Sequence, residues 1–239
     1  MAQIISECGI NHGGSLDVAI EMIRASKECG AQVVKFQHYL TEILCFNRND
    51  FNSHNILEKN KMHVHWLPYL KEESDRLGVE FLCTPFCKFS AEDINPFVER
   101  FKIASPEVCD IEFVKHISEF GKPMIISNGK ADEKTLDEIY YTIYNKITLL
   151  YCKSIYPSKP SDYDLTEIRR LKERYPLWHI GLSSHCLNIN LSIEAAKMGA
   201  TIIEHHFKLN DKCVDAAVSL NPRQMKKLSY ELERGEKHG

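Results

Sequence analysis

CGAQVVKF at residues 29–36 and MGATIIEH at 198–205 are two copies of one local pattern. In each, a Gly-Ala step ends a helical stretch and opens a short run of β-branched residues. Glycine suits that place because a helix readily stops at a residue in the left-handed region. Gly78 and Gly121 stand similarly ahead of further apolar runs. Working outward from these, strands are predicted at 2–7, 32–37, 79–84, 100–104, 122–127, 146–152, 178–183 and 201–206. Between them lie stretches of helical periodicity, such as LDVAIEMIRASKECG at 16–30, where Val18, Ile20, Ile23 and Ala25 can share one broad face.

Strands alternating with helices imply parallel pairing through crossover connections. An open doubly wound sheet usually begins with a G-x-G-x-x-G turn, whereas the first turn here is GINHGGS at 9–15. The expected class is therefore α/β, a (β/α)8 TIM barrel. The whole chain, 1–239, forms a single domain, close to the ~250 residues typical of that fold. The longest irregular stretch, 38–61, is expected to cover the barrel mouth.

Composition narrows the function. The 30 basic and 33 acidic residues leave a net charge of -3, so no broad positive field exists to bind a nucleic-acid backbone. An apolar run long enough to span a membrane is missing, and MAQIISECGINH lacks the basic-then-apolar order of a secretory signal, so a cytoplasmic protein is expected. The nine cysteines are scattered, odd in number and without C-x-x-C spacing, which favours reduced thiols over a zinc cluster.

In a barrel of this kind, the C-terminal ends of the strands line the active site. Polar residues fall at nearly every such end: Glu7 with Asn11 and His12, Lys35 and Gln37, Thr84, Lys102 and Ser105, Ser127, Ser154 and Tyr156, Ser183 and His185, then Glu204, His205 and His206. Lys35 and Lys102 interrupt apolar runs, and a buried ammonium requires an anionic partner. Either they form internal salt bridges, or with the hydroxyls they make a cradle for phosphate and carboxylate. His185 and His206, on neighbouring strands, can share a divalent metal completed by water or substrate oxygen, or they can be ordinary hydrogen-bonded histidines. Strand alternation puts Glu204 and His206 on one side and His205 on the other, as a packing or loop residue.

ECGINHGGS (7–15), GAQVVKFQ (30–37), CTPF (83–86), KIAS (102–105), ISNGKA (126–131), LLYCKSIYPS (149–158), GLSSH (181–185) and IEHHF (203–207) together resemble the sialic acid synthases. The resemblance runs in order over almost the whole chain. It implies a transferase of sialic acid biosynthesis that condenses phosphoenolpyruvate with an aldose, N-acetylmannosamine or a related sugar, to a 2-keto sugar acid with release of phosphate. It also implies Mn2+, with Mg2+ or Co2+ as substitutes. Carried over position by position, His185 and His206 are metal ligands. Lys35, Lys102, Thr84, Ser105, Ser127, Ser154 and Ser183 hold phosphoenolpyruvate. Glu7, Gln37 and Tyr156 face the sugar, Asn11 joins the substrate ligands, and Glu204 lies near the reacting carbons. Asp215, in KCVDAAVSL (212–220), matches an aspartate that the family carries in a Pro-Gly-Pro-Asp turn. That turn reads Lys212-Cys213-Val214 here, Ser184 stands where Asp is common, and His205 where Lys is usual.

The family's C-terminal antifreeze-like domain has no counterpart before Gly239. The expectation is thus the barrel alone, its acceptor side completed by a homodimer or a separate partner polypeptide, with no nucleic-acid or membrane partner. Two other readings use the same residues: a Schiff-base aldolase built on Lys102, or a non-catalytic barrel that binds phosphoenolpyruvate or a sugar.

Overall fold

The computed structural model describes residues 2–237. Eight strands follow one another along the chain: β1 (Gln3–Gly9), β2 (Val33–His38), β3 (Glu80–Pro85), β4 (Phe101–Ile103), β5 (Met124–Ser127), β6 (Ile147–Cys152), β7 (His179–Ser184) and β8 (Ile202–His206). The helices are α1 (Leu16–Glu28), α2 (Thr41–Arg48), α3 (His54–Asn60), α4 (Leu67–Leu77), α5 (Lys88–Ile94), α6 (Ile111–Ser118), α7 (Glu133–Thr142), α8 (Thr166–Arg174), α9 (Asn190–Lys197) and α10 (Pro222–Lys237). All strand pairs are parallel, in the order β3-β2-β1-β8-β7-β6-β5-β4, and β3 packs beside β4 to bring the ring round. This is the expected (β/α)8 barrel. Gly30, Gly78, Gly121 and Gly199 hold positive φ ahead of their strands, as the repeated Gly step requires.

A period of two governs the barrel interior. Ile5, Val33, Leu82, Ile125, Leu150 and Ile202 point inward and form one buried apolar layer. Two residues further along each strand, the inward positions become Glu7, Lys35, Thr84, Ser127, Cys152 and Glu204. One continuous face thus changes from hydrocarbon to charge within a single residue pair. The outward-facing residues pack against the helices in a second, much larger core.

Two local expectations are corrected. On α1 the fully buried face is Ala19, Met22, Ile23 and Ser26; Val18, Ile20 and Ala25 only flank it. The stretch 38–61 is largely helical, because α2 and α3 have a small core of their own: Ile10, Tyr39, Leu44 and Phe86, with Leu57 packed against them. Tyr39 donates its hydroxyl to the Leu57 carbonyl at 2.9 Å. Asn49 ends α2 in the left-handed region at φ 50°. All nine cysteines are free thiols.

His12, in the turn after β1, is 1 % exposed and packs edge-on against Trp66 at 5.4 Å. The Gly14 amide donates to its Nδ1 at 3.2 Å, and its Nε2 is buried without a partner. Burial, helped by His63, lowers its pKa from 6.5 to about 4. The unfolded chain therefore binds a proton that the folded chain refuses, and stability contributed above pH 6.5 is lost as pH falls toward 4. Between pH 7 and pH 5 that loss is on the order of 2 kcal/mol. Urea denaturation of His12→Gln should show a smaller drop over this interval than the parent chain; an identical drop would place the acid sensitivity elsewhere.

Candidate active site

Register places the charged residues. Glu7 on β1 lies opposite Lys35 on β2, and Ser183 on β7 opposite Glu204 on β8. Lys35 Nζ is 2.7 Å from Glu7 Oε2 and 3.6 Å from Glu204 Oε2, and donates to Thr84 Oγ1 at 3.2 Å. Lys102 Nζ donates to Ser127 Oγ at 2.7 Å and to the Ile103 carbonyl at 3.0 Å, with Glu204 Oε1 4.0 Å away. Ser183 Oγ donates to Glu204 Oε1 at 2.8 Å, and Gln37 Nε2 to Glu7 Oε1 at 2.7 Å. Both lysines therefore have carboxylate partners within the fold.

The result is a buried cluster of two ammoniums and two carboxylates. Burial works against charge on Lys35, but Glu204 and Glu7 outweigh it and its pKa is raised. Lys102 is lowered, because burial and Lys35 exceed the pull of the more distant Glu204. Burial opposes the charge on Glu204 as well, yet the two lysines and Ser183 hold its pKa below the ordinary carboxylate value.

These groups line a pocket of about 60 Å³ at the C-terminal end of the barrel, together with Gln37, Ser105, Tyr156, His185 and His206. Above it a wider mouth of about 580 Å³ shares several of its walls and adds Ser154 and Asp215. Cys152, which the sequence reading passed over, also faces the inner pocket. Its signal was available, since Leu150 two residues earlier points into the barrel. Ser105 Oγ accepts from the Gly129 amide at 3.2 Å; a Cβ at Gly129 would stand 2.6 Å from Ser154 Oγ and 2.8 Å from Ser105 Oγ, so a side chain there would force both hydroxyls to move.

Asn11 lines neither cavity. Its Nδ2 donates to the Phe207 carbonyl at 2.8 Å and to Ser219 Oγ at 3.0 Å, while its Oδ1 accepts from the Asp215 amide at 2.9 Å. The residue expected among the substrate ligands thus braces the loop that carries Asp215. His205 faces outward, is buried, and hydrogen-bonds Ser192 at 2.7 Å, which is the packing role expected of it.

His185 Nδ1 lies 2.9 Å from the Lys153 carbonyl, which can only accept, so in the neutral ring Nε2 keeps the free lone pair. Burial, with His206 adding to it, lowers its pKa to about 4 and keeps the ring neutral. Tyr156 packs against it at a tilt of 33°, with ring centroids 4.0 Å apart. His206 Nδ1 faces Asp215 Oδ2 at 3.4 Å; burial lowers its pKa, but the carboxylate prevails and the net shift is upward. The two imidazole centroids are 5.5 Å apart, a separation that suits two rings whose nitrogens sit about 2.1 Å from a shared ion. A carbonyl-anchored imidazole is also the usual way of orienting a metal-binding ring. Among the described residues no group of three or more His, Cys, Asp or Glu is arranged to hold a metal, so an ion here would take two protein nitrogens and complete its shell with oxygen from water or substrate.

The NeuB family model matches residues 22–238 of this chain. The N,N'-diacetyllegionaminic acid synthase of Legionella pneumophila is 32% identical, over 98% of this chain and 72% of that protein. The human N-acetylneuraminate-9-phosphate synthase is 30% identical, over 94% of this chain and 67% of that protein. Among solved structures, the N-acetylneuraminic acid synthetase of Leptospira borgpetersenii superposes with a TM-score of 0.93 at 31% identity, covering 99% of this chain and 84% of that one.

The ion cluster makes a stability prediction. Glu204→Gln leaves Lys102 without its nearest carboxylate and should destabilise the fold by about 3 kcal/mol. Adding Lys102→Met should recover a substantial part of that loss. Denaturant midpoints for the single and double variants measure both, and simple additivity would show that the two side chains are not coupled.

Proposed function

The chain belongs to the NeuB family, and on that footing we propose that it condenses phosphoenolpyruvate with an open-chain aldose of the N-acetylmannosamine type to give a 2-keto sugar acid and phosphate. The observation that carries this reading is the convergence of Lys35, Lys102, Glu7, Glu204, His185 and His206 on one pocket at the barrel mouth. Relatives named as sialic-type acid synthases, alike over nearly the whole barrel, support an enzyme that forms C–C bonds.

Lys102 with Ser127 and Ser105, and Lys35 with Thr84, meet the phosphate and carboxylate of the donor. The donor is multiply anionic, while the cluster it enters is already balanced, so its binding calls for further positive charge nearby. A divalent ion held by His185 and His206, Mn2+ first and Mg2+ or Co2+ as substitutes, supplies that charge and Lewis acidity toward the aldehyde oxygen. C3 of phosphoenolpyruvate attacks the aldehyde carbon, a C–C bond forms, and the aldehyde oxygen takes a proton to become a hydroxyl. Positive charge then develops at C2 within reach of Glu7 and Glu204. One of these carboxylates takes a proton from the water that attacks C2. The C–O bond to phosphate breaks and the carboxylate's proton leaves with the phosphate, while the C2 hydroxyl gives up its own proton to become the keto oxygen; that second proton balances the one taken up by the aldehyde oxygen. Tyr156, packed against His185, walls this region on its open side.

With phosphoenolpyruvate, Mn2+ and a panel of aldoses, phosphate release should require both metal and acceptor. His185→Ala and His206→Ala should each lower it at least ~100-fold. Turnover in EDTA, or normal activity in both variants, would reject the mechanism. Borohydride with pyruvate should leave Lys102 unmodified; a stable adduct there would support the Schiff-base aldolase instead. Binding of phosphoenolpyruvate without turnover on any acceptor would point to the non-catalytic barrel.

A further inference from the structure

The inner pocket is lined almost entirely by groups that hold charge or donate and accept hydrogen bonds. Of the described residues that face it and not the chamber above, each carries a charge, a hydroxyl or an imidazole except Cys152. Phe86 and Ala104 add apolar surface, but both line the chamber as well and so sit at the upper level. At depth, the sulfur of Cys152 is the weakly polar wall.

Its position follows from the strand. Cys152 is the last residue of β6, two beyond Leu150 in the aliphatic layer, and its register partner is Ser183 on β7. The residue is 4 % exposed, and its amide donates to Asn128 Oδ1 at 3.0 Å, which pins the strand end. Burial pushes the thiol pKa up, against the Ser105 and Ser183 hydroxyls and the Lys102 charge, so the sulfur stays protonated at neutral pH. A buried neutral thiol packs as a small hydrophobe and is a weak hydrogen-bonding group. The pocket around it is also incomplete without an occupant: Glu204 Oε2 is buried there with no hydrogen-bond partner among the described residues, its nearest ammonium, that of Lys35, 3.6 Å away.

Phosphoenolpyruvate carries anionic oxygens at its phosphate and carboxylate and a single apolar edge, the methylene at C3. Turning an oxygen toward the sulfur leaves it without a donor, which is costly in a buried site, whereas the methylene loses nothing there. The acceptor meets C3 through one face of the planar enol, so the methylene's in-plane edge and its other face are left to the wall.

We propose that Cys152 is the specificity-determining wall for the donor: its sulfur packs against the methylene of phosphoenolpyruvate and excludes donors that carry a substituent at C3. This rests on the condensation reading above and defines the donor that reading uses.

Calorimetry in the presence of Mn2+ measures the Kd of phosphoenolpyruvate and of its 3-methyl analogue, and 2-keto acid formation with N-acetylmannosamine and other aldoses measures turnover of each. The parent chain should bind phosphoenolpyruvate at least about tenfold more tightly than the methylated donor. Cys152→Ala removes the sulfur and should narrow that ratio at least about fivefold, mainly by gaining affinity for the methylated donor. Cys152→Val crowds the same wall and should weaken phosphoenolpyruvate itself about tenfold. A purely structural role for the thiol would weaken both donors alike and leave their ratio unchanged. An unchanged ratio in Cys152→Ala, or a parent chain that binds both donors equally, overturns the proposal and leaves the condensation reading standing. Selective donor binding with no 2-keto acid from any aldose overturns the condensation reading and keeps Cys152 as the donor's wall. A parent chain that does not bind phosphoenolpyruvate overturns both.

Discussion

Four buried charges set the terms for the rest of this molecule. Lys35, Lys102, Glu7 and Glu204 are each 6 % exposed or less and sit directly on a layer of aliphatic side chains. Bringing such groups out of water costs several kcal/mol apiece unless each finds a partner. The barrel meets this requirement through register: parallel pairing of β1 with β2, and of β7 with β8, sets carboxylate against ammonium and hydroxyl, with a register shift in β1 just after Glu7. Loops above the strands could not hold these groups so closely, because they lack the ladder that fixes side-chain positions every two residues.

The same economy of position governs the less charged parts of the site. Asn11 reaches from the β1 turn to the backbone around Phe207 and Asp215 and makes that loop an extension of the barrel wall. Asp215 in turn faces His206, so the first and last β/α units are tied together at the histidine pair. On the opposite side, α2 and α3 rest on their own small core and bring Arg48 to the rim. The mouth is therefore bounded by a rigid strand-end floor and by a separately packed rim, which are built from different kinds of interaction.

Much of this was legible in the chain before any coordinates. The Gly-Ala steps and the spacing of β-branched runs marked all eight strands within two residues, since both signals are local. Lys35 and Lys102 announced anionic partners, from the fold or from a ligand, because an ammonium buried unpaired in an apolar run is costly. Which partners they take was not legible: that depends on strand register around a closed ring. The bracing contacts of Asn11 were not legible, because its hydrogen-bond partners lie some 200 residues away. The helices within 38–61 escaped notice because their apolar contacts are split between α2, α3 and residues of two distant turns, leaving each segment too short for a clear period. Cys152 was hidden by its chemistry, being a small thiol that reads as core in a strand of Leu and Tyr.

The aliphatic layer beneath the ion cluster has one more effect. Ile5, Val33, Leu82, Ile125, Leu150 and Ile202 close the barrel from below, and the inner pocket of about 60 Å³ lies between them and the larger chamber above it. Pocket and chamber share Gln37, Ser105, Tyr156 and His206, so they are two depths of one mouth, and the hydrocarbon layer is its floor.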